Sequence, residues 1–315
     1  MNKKRNQYYI IYAGLILYSY LIMLFCTKSS PIYALNDWYD ANAYFTMGKG
    51  LMNGSIPYKD LFDHKGPFLY FLYGISYLLN NNGFFGVFIL QIIAMSINIV
   101  CAFKISEIYN LSQRAAFITA ILIPITMLSH GFYIISNNFG GGSPDEFVVL
   151  IFSVILYFFI KLLKKQDILK SAPLYLFVIG LLSSLIFQLK FAHLSLVFGL
   201  VCPLLIYLFI KKFGVFIKSF FLCIIGFIAS LIPYIIYALI TNSLKDSLHV
   251  YIKFNKIYAA TADGKSIWSL LRSSIQNTIN IAQNSKSLIF IIIFFYYICE
   301  LYIFFNCSKC YCFGI

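Results

Sequence analysis

Long apolar stretches recur along the chain, near residues 8–26, 68–79, 84–103, 115–130, 146–160, 173–188, 192–210, 215–240 and 287–306. A chain built this way cannot cover itself in water. Only 11% of its 315 residues are charged, against roughly a quarter in a soluble domain. The solvent implied is lipid, where a crossing helix needs about 20 mostly apolar residues. The expected fold class is an all-α polytopic membrane protein forming a single transmembrane domain over 1–315.

Length separates crossings from shorter helices. The 68–79 stretch is about 12 residues, or ~18 Å of helix, well short of a ~30 Å hydrocarbon core. It is expected to lie at the interface. With the N-terminus inside and 68–79 excluded, the inner loops hold Lys3, Lys4 and Arg5; Lys104 and Arg114; Lys161, Lys164, Lys165 and Lys170; and Lys211, Lys212 and Lys218. Each inner loop is then basic, as the positive-inside rule requires. About eight transmembrane helices are expected, with juxtamembrane helices in a first outer loop over 27–82. The second outer loop is 131–145 and the last is 241–286. Eight of the eleven acidic residues fall outside by this assignment. The run from Tyr8 to Cys26 is too long for the core of a signal peptide and lacks a small-residue end, so it reads as a retained first span.

The net charge of +13 is topological, because the basic residues sit between spans and form no stripe for nucleic acid. No nucleic-acid partner is expected. Of the eight cysteines, five lie in or beside apolar stretches, where a thiol behaves as a small hydrophobe. Cys307, Cys310 and Cys312 have no fourth ligand nearby for a metal. The chain stops soon after its last apolar stretch, as expected of a shortened version of a longer protein.

Four constellations could carry chemistry. In Asn36-Asp37-Trp38-Tyr39-Asp40, two carboxylates three apart share a helix face. Asp37 suits a helix cap. Asp40 suits a general base or a ligand for a divalent cation such as Mg or Mn. Residues 57–67, Pro-Tyr-Lys-Asp-Leu-Phe-Asp-His-Lys-Gly-Pro, form a defined loop. In it His64 and Lys65 can meet an anionic group at headgroup level, or Lys65 can simply snorkel. Gly140-Gly141-Gly142-Ser143-Pro144-Asp145-Glu146 precedes a span, and its two acids either cap that helix or face the first loop. Lys190, with His193, lies between two spans, either in an outer turn or at a functional site.

From Asp40 to Pro67 the sequence resembles the membrane-embedded GT-C glycosyltransferases, in the bacterial branch related to protein O-mannosyltransferases and aminoarabinose transferases. The matching features are Asp40, Tyr44, Gly48, Pro57-Tyr58-Lys59-Asp60 and Asp63-His64-Lys65-Gly66-Pro67, with Asp145-Glu146 similar to an acidic pair in the family's second outer loop. The resemblance implies a polyprenyl-phosphate-linked sugar as donor. It implies Asp40 as the catalytic or metal-coordinating acid and a Lys65 turn near the donor phosphate. Asp40-Ala41 departs from the family's usual Asp-Glu, which leaves Asp37 or Glu146 to supply a second carboxylate. The extra spans and soluble outer domain common in the family are missing.

The resulting expectation is a sugar transferase at the outer face of a plasma membrane, acting on a cell-envelope glycan or lipid acceptor. Asp40, Glu146 and Asp37 are the expected catalytic carboxylates. Tyr44, Asp60, Asp63, His64, Lys65, Asp145 and Lys190 are expected to bind substrate. The rivals are a polysaccharide or lipid transporter and a non-catalytic fragment.

Overall fold

The computed structural model describes residues 2–128, 141–257 and 276. The chain divides into two units, 1–254 and 255–315. Of the second unit only a helical piece, 255–257, and Gln276 are described, so the expected last span and most of the last outer loop lie outside the described residues. Among the described residues the regular structure of the first unit is helical, and no β-strand forms. In lipid this is the natural outcome, since a helix satisfies its backbone amides within one segment.

The helices run in order: α1 Asn2–Cys26, α2 Tyr39–Met52, α3 Pro67–Leu79, α4 Phe85–Ile108, α5 Gln113–Leu128, α6 Pro144–Leu163, α7 Ile168–Lys190, α8 Leu194–Lys211, α9 Phe213–Ile240 and the short α10 Leu244–Ser247, followed by a π-helix over Leu248–Phe254. Among the described residues, five helical segments are long and apolar enough to cross a membrane: Arg5–Cys26, Phe85–Ile108, Pro144–Leu163, Ile168–Lys211 and Phe213–Ile240. The chain is a multi-pass membrane protein. The segment Ile168–Lys211 has 44 residues, or ~66 Å of helix, about twice a hydrocarbon core. It is interrupted at Lys190, whose backbone is extended (φ −159°, ψ 96°), and a single 3-10 turn at Phe191–His193 leads into α8. The count of eight crossings expected from sequence is therefore not reproduced by helix length alone, because two stretches merge into one segment, α5 is short and 287–306 is not described.

Helices in lipid gain nothing from leaving water, so close packing must hold them together. The α7–α9 contact shows how. A Cβ on Gly180 would collide with the Cys223 carbonyl oxygen, and one on Gly226 with the Phe177 carbonyl oxygen. The two glycines thus let the backbones touch. On the other side of α9, Ile225, Ile228, Ile232 and Ile236 remain half-exposed at helical spacing, the stripe expected to face lipid chains. A separate cluster joins α1, α4 and α5 around the buried Leu15, Met23, Met95, Phe103 and Ala116. Near its basic end the Tyr8 hydroxyl donates to Glu107 Oε1 at 2.6 Å, and Lys104 pairs with Glu107 Oε2 at 2.9 Å.

The break after α7 leaves backbone groups without helical partners. Tyr251 of the π-helix fills it: its hydroxyl donates to the Phe187 carbonyl oxygen and accepts from the Phe191 N–H at 3.1 Å. Tyr251 is buried there with Phe187 and Phe191 in edge contact around it. The expected interfacial stretch 68–79 appears as α3, 13 residues beginning at Pro67, where proline suits the first helical turn.

Candidate active site

Asp40 stands in the first turn of α2, where the exposed N–H groups of the helix favour a negative charge. Asn36 sets the start of that helix. It is buried, its Oδ1 accepts from the Trp38 N–H at 3.1 Å, and its carbonyl accepts from Asn42 Nδ2 at 2.8 Å. The Tyr44 hydroxyl, one turn on from Asp40, donates to Asp40 Oδ2 at 3.3 Å. Burial, followed by the neighbouring Asp40 and Asp63 carboxylates, pushes the Tyr44 hydroxyl far above its ordinary range, so it stays a donor. Asp37 is placed differently. It is 64% exposed and ion-paired with Lys28, whose hydrogen bond holds the Asp37 carboxyl below its ordinary range. This pair ties the chain after α1 to the start of α2.

The loop from Ser55 to Gly66 is built around the backbone of Lys65. Asp60 Oδ2 accepts from the Ile56 N–H at 2.7 Å, and the Tyr58 N–H donates to the Leu61 carbonyl at 2.8 Å. Tyr58 takes a left-handed backbone, φ 69°, a conformation costly for an aromatic residue. That turn aims its hydroxyl at the Lys65 carbonyl oxygen, 2.6 Å away. The Tyr70 hydroxyl lies 3.0 Å from both the Lys65 carbonyl and Asp63 Oδ2, serving one acceptor at a time with its single proton. Gly66 then docks against α7, its N–H donating to the Leu189 carbonyl at 3.2 Å. A side chain at Gly66 would collide with the Gln188 carbonyl. Lys65 Nζ lies 3.0 Å from His64 Nε2, and His64 Nδ1 lies 3.5 Å from Asp63 Oδ1. Burial, and then the Lys65 charge, depress the His64 pKa below its ordinary value, so the imidazole is neutral at pH 7.

The two acids before α6 part ways. Glu146 is 1% exposed. Its Oε1 accepts from the Gly142 and Ser143 N–H groups at 2.8 and 3.1 Å, and its Oε2 from Gln91 Nε2 at 2.8 Å. Gln91 in turn accepts from the Thr27 hydroxyl at 3.0 Å. The glycines supply the left-handed backbone the motif implies, with φ 88° at Gly141 and 89° at Gly142. Asp145 points elsewhere. Its Oδ1 is 2.9 Å from Lys190 Nζ and 2.5 Å from His193 Nε2. The Gly66–Leu189 hydrogen bond sets this trio beside the Lys65 loop, because Lys190 follows Leu189 directly.

The structure thus gathers Asp40, Tyr44, Asp63, His64 and Lys65 within reach of one another's charge. Asp145 and Lys190 form a neighbouring pair, Glu146 is sealed beneath the glycine turn, Asp60 closes its own loop, and Asp37 sits on the surface. Among the described residues no group of three or more His, Cys, Asp or Glu side chains is arranged to hold a metal ion. Beside the loop lies a groove of about 490 Å³, lined almost wholly by apolar groups, among them Pro67, Phe68, Leu185 and Pro233. It begins where the charged loop ends, since Pro67 and Gln188, the chain neighbours of Gly66 and Leu189, both line it.

Sequence reasoning does not reach Tyr70, Tyr73 or Gln91, names Tyr58 only within the family motif without its role, and finds His193 without its partner. A glutamine inside an apolar run is the one visible signal for Gln91, since such a group needs a buried partner.

A model of the dolichyl-phosphate-mannose-protein mannosyltransferase family matches residues 64–237, just over half of the chain. The match takes in His64, Lys65, the glycine turn, Asp145, Glu146 and Lys190 and begins after Asp40. No curated protein and no solved structure matches the chain.

Proposed function

Since the chain belongs to the dolichyl-phosphate-mannose-protein mannosyltransferase family, whose members are membrane glycosyltransferases of the GT-C type, we propose that it moves a sugar from a polyprenyl-phosphate donor to a hydroxyl of a cell-envelope glycan or lipid at the outer face of a plasma membrane. The observation that carries this reading is the abutment of unlike surfaces. A charged loop centred on Lys65 meets an apolar groove of about 490 Å³, which suits a ligand with a phosphate at one end and a hydrocarbon tail at the other.

In the proposed reaction the acceptor oxygen attacks the anomeric carbon and gives its proton to Asp40. The bond from that carbon to the phosphate oxygen breaks, and the lipid phosphate leaves with the electron pair. Lys65 stabilises the charge gathering on it, the kind of fixed electrostatic help worth most in a water-poor site. Tyr44, by donating to Asp40, holds the carboxylate's second oxygen while the first meets the acceptor. Asp145 and Lys190, with His193, bind sugar hydroxyls in this reading. Glu146 keeps the glycine turn in shape and Asp37 clamps the loop.

The test is Asp40→Ala, with sugar transfer measured in membranes. Loss of a general base costs about 100-fold or more. Activity within about threefold of wild type would overturn the role, since no general base contributes so little.

One observation touches the transporter reading, namely a broken helix bearing ionisable groups at Lys190. Transporters place such breaks near the bilayer midplane. Here α7 runs 23 residues before the break, or ~35 Å, already a full core thickness. The break therefore falls at a membrane edge, where the transferase reading needs its polar groups.

A further inference from the structure

Lys65 carries the leaving-group charge in the reading above, yet an ammonium on a four-carbon stem is poorly aimed by itself. Its backbone is fixed by the Tyr58 and Tyr70 hydroxyls and by the docking of Gly66 on α7. Among the described residues His64 holds its head group, with Nε2 3.0 Å from Nζ. An ammonium has donors and no acceptor, so Nε2 must offer its lone pair and the ring proton must sit on Nδ1. That side of the ring faces Asp63 Oδ1 at 3.5 Å, and Asp63 is itself within 3.0 Å of the Tyr70 hydroxyl. The order carboxylate, imidazole, ammonium is thus fixed from one end to the other.

We propose that His64 is a positioning residue for Lys65, a neutral imidazole whose tautomer is set by Asp63 and whose Nε2 lone pair aims the Lys65 ammonium at the donor phosphate. The proposal rests on the glycosyltransferase reading of this site for its purpose, though not for its geometry. Protonation of Nε2 removes the acceptor and sets a second positive charge against Lys65. Among the described residues, Asp63 and Lys65 from its own loop, Asp40 from α2, and the Phe254 ring with its centroid 6.0 Å away face the ring. Burial and Lys65 lower the pKa while Asp63 and Asp40 raise it, with a net depression. The aligned state therefore persists down through the ordinary His range and is lost only as pH falls below it. A glycosyl polyprenyl phosphate is a phosphodiester with one charge throughout this range, so the donor adds no titration of its own.

Two measurements test this. In bilayers, nitrogen NMR of the four histidines, with His64→Gln as the assigning difference, should show His64 at pH 7.5 with its proton on Nδ1. Its titration midpoint should lie below that of an ordinary histidine and move up in Lys65→Met. A doubly protonated His64 at pH 7.5, a proton on Nε2, or a midpoint unmoved in Lys65→Met overturns the proposal. The second measurement uses dolichyl-phosphate-mannose as donor. His64→Ala should lower kcat about tenfold, the scale of one lost hydrogen bond to a charged group, with KM less affected, because a misaimed ammonium fails the charge that gathers in the transition state. His64→Gln, which keeps an acceptor that does not titrate, should restore kcat and abolish its fall in acid. An acid limb retained in His64→Gln also overturns the proposal. If no sugar is transferred even by wild type, the glycosyltransferase reading fails with this donor, while the NMR result still decides the pairing of His64 with Lys65.

Discussion

The Tyr73 hydroxyl donates to the Gly142 carbonyl oxygen at 2.7 Å, and both residues are buried. This bond ties α3, which follows the Lys65 loop, to the glycine turn that precedes α6. The two polar segments are thereby held as one body, although 69 positions separate the partners. Tyr73→Phe removes the donor and keeps the ring. The Gly142 carbonyl is then buried without that partner, at a cost of about 1–3 kcal/mol. Thermal unfolding in detergent should show a lowered midpoint, and an unchanged midpoint would remove the bond from any account of stability.

Glu146 makes a sharper case, because every partner it has is a donor. A glutamine in its place turns one acceptor into an NH2 group facing Gln91 Nε2 or the Gly142 and Ser143 N–H groups. Rotating the Gln91 amide relieves the clash, but the Thr27 hydroxyl must then turn from donor to acceptor. Glu146→Gln should cost about 1–3 kcal/mol of stability, while folded protein keeps its kcat. A normal unfolding midpoint with kcat cut by 100-fold would make Glu146 a chemical participant, as the second carboxylate implied by resemblance.

Asp37 and Asp40 should separate cleanly despite lying three residues apart. Asp37 is 64% exposed and paired to Lys28, the kind of solvent-screened surface bridge that adds little to stability. Asp37→Asn should leave transfer and the unfolding midpoint close to wild type, and an activity loss like that expected of Asp40→Ala would put Asp37 in the reaction.

A divalent cation has no ready set of ligands among the described residues, and Asp40 is shared with a tyrosine hydroxyl. Prolonged treatment with EDTA should therefore leave sugar transfer at its starting rate. Abolition by EDTA with recovery in Mg or Mn would assign the cation a place at Asp40.

The helices were readable because lipid imposes a simple rule of apolar length. α3 begins one residue before its expected stretch and α9 two before its own, and the proline after Gly66 marks the start of α3 in the sequence itself. The candidate residues were also visible, since charges in so apolar a chain stand out. Their partners were not. Nothing local in Asp145-Glu146 says that the first will meet Lys190 and His193 while the second is enclosed by Gln91 and two backbone amides. That division depends on how α4, α6 and α7 pack. The left-handed turn at Tyr58 was equally hidden, because Pro57-Tyr58 carries no glycine to announce it. The groove could not be seen at all, being an interval between helices and no property of any one of them.

Tyr251 performs a graft. One phenol oxygen bridges the two ends of one missing rung of a helical ladder, the Phe187 carbonyl and the Phe191 N–H, using a side chain from some sixty positions downstream. A helix pair joined this way is completed only when that downstream segment arrives. During synthesis the end of α7 and the start of α8 must wait, with bare amides near lipid, until the chain has grown past the π-helix. The segment after α9 is thus a late keystone for a joint made much earlier.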